Sequence, residues 1–353
     1  MTADTFSLPG APRRIVVFRA LQLGDLLCSV PALRALRRAY PQARIVLAGL
    51  PGAAGFVQRF SHYLDGLLPF PGIAAFPEQA ARTQALPGFY RQARAQRFDL
   101  ALQMHGSGAQ SNAVVRAMGA RTWAGFVPER AQAVAGLRLP WPDELPEPAR
   151  YLALLRELGL PAEDATLEFP LSGSDMLQGQ QLLNETGLRP ERTVLVHPGA
   201  RLASRRWPAE RFGAVARALA RQGWQIGVTG TPQEAALTAC VARLAGRGAV
   251  DLCGRTDLGT LGTLVQRCRL LVCNDTGISH IAAATGTPSV VVASGSDVAR
   301  WAPLNRERHR VCFADMPCRP CAYDVCPIGH PCALNVGVDQ VLSCAAGQLK
   351  EAA

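Results

Sequence analysis

The chain has 353 residues with 37 basic and 27 acidic side chains, and Lys350 near its end is the single lysine among 36 arginines. This composition excludes the Walker A proteins, the pyridoxal-phosphate and Schiff-base enzymes and the protein kinases, since each needs a lysine in its site. The length and a hydrophobic content of 48% suit roughly two globular domains.

The first half of the chain alternates predicted strands and helices. An apolar run at 14–20 predicts a buried strand, and an amphipathic helix follows it, with Pro31 expected near its first turn. The next predicted strand, at 43–50, completes a βαβ unit and therefore a parallel sheet. The proline-rich residues 138–150 predict a surface connection.

The second half repeats this alternation from the segment TVLVHPGA onwards. We therefore predict an α/β fold of two doubly wound, Rossmann-like parallel-sheet domains, residues 1–170 and 171–353. The second domain carries a cysteine-rich loop at 312–332. Ligands of such folds bind at the carboxyl ends of the strands, so the turns that follow the strands are the candidate sites.

The first candidate turn is Gly24-Asp25, between the first strand and its helix. The glycine lets the backbone approach a ligand, and the start of the helix directs amides towards it. Two interpretations of Asp25 stay open, a general base and a carboxylate that caps or complements the helix start.

The second candidate is the loop His197-Pro198-Gly199-Ala200 with the arginines that follow it, among them Arg205. Arginines in a polar loop before a helix suit a diphosphate, because the guanidinium group binds phosphate through two hydrogen bonds. The alternative is a cluster of solvent-exposed arginines at the start of the helix.

The third candidate is the segment 274–280, Asn-Asp-Thr-Gly-Ile-Ser-His, which ends a strand and leads into an apolar helix. A hydroxyl, a glycine and the open amides of a helix start suit a phosphate group. Asp275 or Thr276 also suits the N-cap position, and both roles are compatible.

The fourth candidate is a cluster of four cysteines, Cys318, Cys321, Cys326 and Cys332, amid prolines and glycines. Four thiolates this close in sequence suit a structural zinc or iron site, although the spacing is not that of a standard finger. Reduced free thiols are the other interpretation, because a chain without a recognisable signal peptide is expected in the reducing cytoplasm.

Two further patterns point away from other enzyme classes. Gly106-Ser107-Gly108 follows a strand but lacks the third glycine and the later acid of a dinucleotide-binding turn. No Asp-x-Asp sequence occurs, so the usual carboxylate pair of metal-dependent glycosyltransferases is missing. Residues 1–59 carry eight arginines against Asp4 and Asp25, which indicates either an anionic partner or a general arginine bias.

Taken together, these segments resemble glycosyltransferase family 9, the heptosyltransferase family of lipopolysaccharide assembly. The resemblance extends over nearly the whole chain and rests on LQLGDLLCSVPALRALRRAYP, HPGA followed by RRWP, TGTPQE and NDTGISHIAAATGTP. It implies a GT-B architecture, in which two Rossmann-like domains face a central cleft, with an acceptor-side first domain and a nucleotide-sugar-binding second domain. It also implies inverting transfer of a sugar, typically heptose from ADP-heptose, to a hydroxyl of a lipopolysaccharide-core or related glycan.

The resemblance implies roles for individual residues. Asp25 matches the general base proposed for the family, and Gly24 and Gly199 shape the backbone loops beside the ligands. The implied donor-binding residues are Arg205, Glu234, Asp275, Thr276, Gly277 and His280. Position 205 is commonly lysine in the family, and arginine there keeps the charge but changes its shape and hydration.

The implied partners are a nucleotide-sugar donor and a lipid-linked glycan acceptor, without a cofactor required for catalysis. A cytoplasmic protein in peripheral contact with the inner face of the inner membrane is expected for such an acceptor, and nucleic acid is not expected as a partner. Three other interpretations stay open: a nucleotide-sugar-binding protein without transfer activity, a nucleotide-sugar epimerase and a protein-modifying heptosyltransferase. Members of the last group resemble this chain in their cysteine-rich loops, which look as if they hold iron.

Overall fold

A computed structural model of the protein describes residues 10–128 and 136–351. The chain divides into two compact units, Met1–Leu167 and Glu168–Ala353. The expectation about a signal peptide concerns the first residues of the chain, most of which lie outside the described ranges. Within those ranges, every helix is too short or too polar to cross a membrane.

The first unit is a parallel sheet flanked by helices. Its elements are β1 (Arg14–Phe18), α1 (Leu23–Ala39), β2 (Arg44–Gly49), α2 (Ala54–Arg59), β3 (Gly66–Pro69), α3 (Leu86–Ala95), β4 (Leu100–Gln103), α4 (Ser111–Ala117), β5 (Thr122–Val127), β6 (Leu137–Pro140) and α5 (Glu147–Glu157). The strand order is β3-β2-β1-β4-β5-β6, and β1 pairs in parallel with both β2 and β4. The order of the strands therefore reverses between β1 and β4.

Two local expectations for the first unit are wrong. Helix α1 begins at Leu23, so Pro31 lies inside the helix rather than near its start. An interior proline costs about 3 kcal/mol, but the helix buries one face that includes Leu26, Leu27 and Leu33, and each buried leucine contributes about 1.5–3 kcal/mol. The predicted surface connection at 138–150 begins instead as β6, which pairs with β5 at the sheet edge, where proline is tolerated.

The second unit repeats the same plan. Its elements are α6 (Gly173–Thr186), β7 (Thr193–His197), α7 (Ala209–Arg221), β8 (Gln225–Val228), α8 (Ala235–Ala245), β9 (Val250–Asp251), α9 (Leu258–Arg267), β10 (Leu270–Asn274), α10 (Gly277–Thr285), β11 (Ser289–Val292), α11 (Val298–Trp301), β12 (His309–Cys312), α12 (Pro331–Leu334) and α13 (Val338–Glu351). The strand order is β12-β11-β10-β7-β8-β9, so this sheet reverses between β7 and β10.

Both sheets are buried by helices on their faces, as a parallel sheet requires. In the second unit the central strands pack against α7, α8 and α13 around Trp207 and Phe212, whose ring centroids lie 4.9 Å apart. The predicted class of two doubly wound, Rossmann-like α/β domains is confirmed. In such folds the ligand is expected where the strand order reverses, at the carboxyl ends of β1 and β4 and of β7 and β10.

Candidate active site

Gly24 and Asp25 lie where the first sheet reverses, in the first turn of α1 directly after β1. The N-cap of this helix is Gln22, whose carbonyl accepts a hydrogen bond from the Leu26 amide at 3.0 Å. Asp25 is therefore not the N-cap residue. Asp25 is half-buried at the positive end of the helix.

His105 lies after β4, the other strand at this reversal point. Its Nδ1 accepts a hydrogen bond from the Ala20 amide at 3.2 Å, and its ring stacks on Phe76 with centroids 4.2 Å apart. Burial lowers the pKa of His105 to about 3, so the imidazole is neutral and acts as an acceptor. No sequence motif indicates a role for His105, and only its position after a strand could have indicated one.

The glycine turn beside His105 has a packing explanation. Gly108 has a φ of +86°, and a Cβ there would lie 2.0 Å from the carbonyl oxygen of Phe126. Only glycine fits such a conformation so close to another strand. The turn is thus required by the contact between this loop and β5, which agrees with its failure to match a dinucleotide-binding sequence.

In the second unit, the loop after β7 is held against Glu234. A Cβ at Gly199 would lie 2.0 Å from Glu234 Oε1, so the glycine leaves room for the carboxylate. Glu234 Oε2 accepts hydrogen bonds from the amide and hydroxyl of Thr231 at 2.9 and 3.0 Å. The neighbouring His197 shares a hydrogen bond of 3.0 Å with Thr229, and burial lowers its pKa.

Asn274, the last residue of β10, joins three of the predicted segments. Its side chain is fully buried, and its Oδ1 accepts a hydrogen bond from the Trp207 amide at 2.8 Å. Its Nδ2 donates to the carbonyls of Pro198 and Gly199 at 2.8 and 3.3 Å. The segments containing HPGA, RRWP and NDTG are thereby fixed together at the point where the second sheet reverses. This role of the Asn274 side chain is not among the roles predicted from the sequence.

Asp275, Thr276, Gly277 and His280 follow at the start of α10. Thr276 is the N-cap residue, but its side chain accepts no capping hydrogen bond from the residues that the structure describes. Asp275 and Thr276 are half-buried and His280 is buried, with 5% of its surface exposed. The amides at this helix start are those for which the sequence predicts a phosphate group, and that role stays a prediction.

Arg205 is oriented towards the cysteine-rich loop. Its Nη2 donates a short hydrogen bond to the carbonyl of Cys321, and its Nη1 lies 3.5 Å from the sulfur of the same residue. The loop is also attached to the preceding turn, because the Ser204 amide donates to the Asp324 carbonyl at 3.0 Å. The guanidinium group predicted to bind phosphate is therefore held by this loop.

The four cysteines of the loop differ in exposure but lie near one another: burial raises the pKa of the Cys332 thiol, and the neighbouring Cys318, Cys321 and Cys326 also raise it. Cys318 is exposed and Cys332 is buried, while the sulfur of Cys326 accepts a hydrogen bond from the His330 amide at 3.2 Å. Among residues 10–128 and 136–351, no group of three or more histidine, cysteine or acidic side chains is placed to hold a metal ion. A zinc or iron site at these cysteines therefore stays a prediction from the sequence.

Some of the arginines in residues 1–59 form ion pairs within the first unit. Arg37 forms an ion pair with Asp65 at 2.6 Å, Arg34 one with Asp164 at 2.9 Å, and the buried Arg19 one with Glu147 at 3.2 Å. These contacts are structural, so they reduce the positive charge that is left for an anionic partner.

Comparison with known proteins gives a consistent assignment. Lipooligosaccharide heptosyltransferase 2 of Haemophilus ducreyi is 29% identical over 168 residues, which are 46% of this chain and 44% of that protein. The chain spans about half the length of the curated relatives that it matches. A family 9 glycosyltransferase from Veillonella parvula has a similar structure at 21% identity, with a TM-score of 0.79 over 96% of this chain and 98% of the other.

The ADP-heptose lipopolysaccharide heptosyltransferase II of Escherichia coli is also similar in structure, at 21% identity. Its TM-score is 0.73, over 96% of this chain and all of that chain. Both structural likenesses show the same fold, of class GT-B. The model of glycosyltransferase family 9 (heptosyltransferase) matches residues 88–331, which is more than half of the sequence. The chain therefore belongs to glycosyltransferase family 9, as its sequence segments predicted.

Proposed function

We propose that the protein is an inverting glycosyltransferase that moves heptose from ADP-heptose to a hydroxyl of a lipopolysaccharide-core or related glycan. The observation that carries this proposal is the Asn274 side chain, which joins the segments HPGA, RRWP and NDTG at the carboxyl ends of β7 and β10. Family membership and the ADP-heptose named for the E. coli structure support the choice of donor.

In the proposed division of labour, the second domain binds the donor. The amides at the start of α10, with Asp275, Thr276, Gly277 and His280, receive the diphosphate and the sugar, and Glu234 receives the ribose. Arg205 contributes positive charge to the departing diphosphate, from the position in which the cysteine-rich loop holds it. Because these loops are already fixed, they need not rearrange during the reaction to stabilise the negative charge that develops on the diphosphate.

The first domain supplies the acceptor side and the base. Asp25 takes the proton of the acceptor hydroxyl while that oxygen forms a bond to the anomeric carbon. The bond between this carbon and the diphosphate oxygen breaks at the same time, and the electron pair leaves with ADP. Attack from the opposite face inverts the configuration. No step is assigned to a metal ion, and a lipid-linked acceptor would bring the protein to the inner face of the inner membrane.

The test is Asp25→Asn in the full chain. Transfer from ADP-heptose to membrane-extracted glycans is followed by mass spectrometry, and ADP binding by titration calorimetry. We expect turnover to fall by about 10²–10⁴-fold while ADP affinity stays within twofold, because only proton transfer is lost. Asp339→Asn is the matched control, since Asp339 is also an acid in the first turn of a helix.

Full turnover in a folded Asp25→Asn variant would contradict the role of the base. Conversion of the donor without any acceptor would indicate an epimerase instead. Binding of ADP-heptose without any product would indicate a binding protein that lacks transfer activity.

A further inference from the structure

A completely buried arginine is hydrogen-bonded to the backbone of the candidate base. Arg19 follows β1, and Arg19, Glu147 and Tyr151 are each 0% exposed. A buried charge is costly unless it is paired and hydrogen-bonded, so such a residue is retained only where its contacts are satisfied. These contacts lead to the backbone of Asp25.

Two nitrogens of the Arg19 guanidinium group donate hydrogen bonds to the backbone of Asp25. Nε donates to the Asp25 carbonyl at 2.8 Å, and Nη2 donates to the same oxygen at 2.6 Å. Nη1 donates at 2.5 Å to the carbonyl of Met104, the residue directly after β4. One side chain thus fixes the turn after β1 to the turn after β4, the two strands at which the sheet reverses.

The other side of the guanidinium group is held by α5. Glu147 and Tyr151 are four residues apart and therefore share one face of this helix. Nη2 of Arg19 lies 3.2 Å from Glu147 Oε1, and Nη1 donates a short hydrogen bond to the Tyr151 hydroxyl. That hydroxyl donates in turn to Glu147, and the guanidinium carbon lies 4.5 Å from the centre of the tyrosine ring.

All five N–H groups of Arg19 therefore have partners. Lysine could neutralise Glu147 but could not place two donors on the Asp25 carbonyl while reaching Met104 and Tyr151, because its ammonium is a single point. The arrangement specifically requires a planar, forked cation at this position.

We infer that Arg19 is a positioning residue for Asp25, which it holds through the Asp25 backbone, with Glu147 and Tyr151 as its support; this inference rests on the role proposed above for Asp25. Misplacing a reacting group by about 1 Å can reduce the rate about 100-fold. Donor binding belongs to the other domain in that proposal. Loss of the hydrogen bonds from Arg19 to the Asp25 carbonyl should therefore slow turnover without weakening donor binding.

The experiment compares Arg19→Lys with Arg14→Lys, the same change at the exposed first position of β1, the strand that Arg19 follows. We expect the kcat of Arg19→Lys to fall about 10–100-fold. The KM for ADP-heptose should stay within twofold, and Arg14→Lys should behave like the native protein. A merely structural role for Arg19 would lower the melting temperature but leave the kcat of the folded protein unchanged, which would overturn the inference.

Tyr151→Phe serves as the second variant, in case Arg19→Lys loses its cooperative unfolding transition. It removes one partner of Arg19 and one of Glu147 but keeps both charges. We expect a smaller fall in kcat with the same unchanged KM, and a native kcat in this variant would overturn the inference.

Asp25→Asn, assayed in parallel, separates the two proposals. If that variant remains active, the assignment of the base fails. If Asp25→Asn is inactive while Arg19→Lys is fully active, only the positioning role is contradicted.

Discussion

The carboxylate of Glu234 occupies the space that a side chain at position 199 would need. A Cβ on Gly199 would lie 2.0 Å from Oε1 and 2.3 Å from the carboxyl carbon of Glu234. Glu234 has little freedom to move away, because its other oxygen accepts two hydrogen bonds from Thr231. The HPGA loop and the helix start after β8 are therefore packed as one unit.

We expect Gly199→Ala to destabilise the protein by about 1–3 kcal/mol, as an overpacked buried site does, and to weaken ADP binding at least tenfold. The added methyl group must displace either the loop or the Glu234 carboxylate. Chemical denaturation and calorimetry measure the two effects. Gly248→Ala is the control, because a Cβ there meets nothing within 4 Å. Native ADP affinity in Gly199→Ala would contradict a donor role for this contact.

We expect Asn274→Ala to lower the free energy of unfolding by about 1–3 kcal/mol for each buried partner left unsatisfied, and to raise the KM for the donor. The Trp207 amide and the Pro198 carbonyl would both lose their side-chain partner. Thermal unfolding and steady-state kinetics are the measurements. Asn184→Ala, on the exposed surface of α6, is the control. A stable variant with native KM would show that the amide does not order the donor loops.

The stability of the protein should fall in mild acid because buried histidines are held neutral. Burial and the nearby Arg308 lower the pKa of His309 to about 4, and its Nδ1 lies 2.9 Å from the Ser289 hydroxyl. A group whose pKa is lower in the folded state takes up its proton on unfolding, so unfolding is favoured as the pH falls below about 6.5.

The test is His309→Gln, which keeps a polar partner for Ser289 but cannot titrate. Between pH 6.5 and 4, the native protein should lose up to about 1.4 kcal/mol more per pH unit than the variant does. Urea unfolding at several pH values gives these free energies. Parallel pH profiles for the native protein and His309→Gln would show that His309 does not contribute.

The cysteines should differ strongly in reactivity towards an alkylating agent. Burial raises the pKa of Cys268 to about 12 and also raises that of Cys273, whereas Cys318 is exposed. Because the pKa of Cys268 is raised from 9.0 to about 12, this thiol carries about 1,000-fold less thiolate at neutral pH than an ordinary cysteine does. Peptide mapping after timed alkylation should find Cys318 modified first and the two buried thiols modified only after unfolding. Protection of Cys318 that a chelator relieves would show that the cysteine-rich loop holds a metal ion.

The sequence by itself determined the class of fold and the family. Apolar runs of strand length, each followed by an amphipathic helix, can bury their surfaces only as parallel sheets covered on both faces, so local patterns were sufficient for that prediction. The segments around Asp25 and Asn274 identified the family because their residues are adjacent in sequence. The pattern failed at Pro31 and at 138–150, where burial of a helix face and the position of a strand at the sheet edge outweighed local preference.

The tertiary structure alone decided which side chains support the candidate site. Arg19 and Glu147 are 128 residues apart and meet only because α5 packs beside the start of α1. Arg205 and Cys321 are 116 residues apart, and their contact depends on the path of the cysteine-rich loop. Sequence patterns report hydrophobicity and turn chemistry over a few residues, whereas a buried charge finds its partner through packing between distant elements.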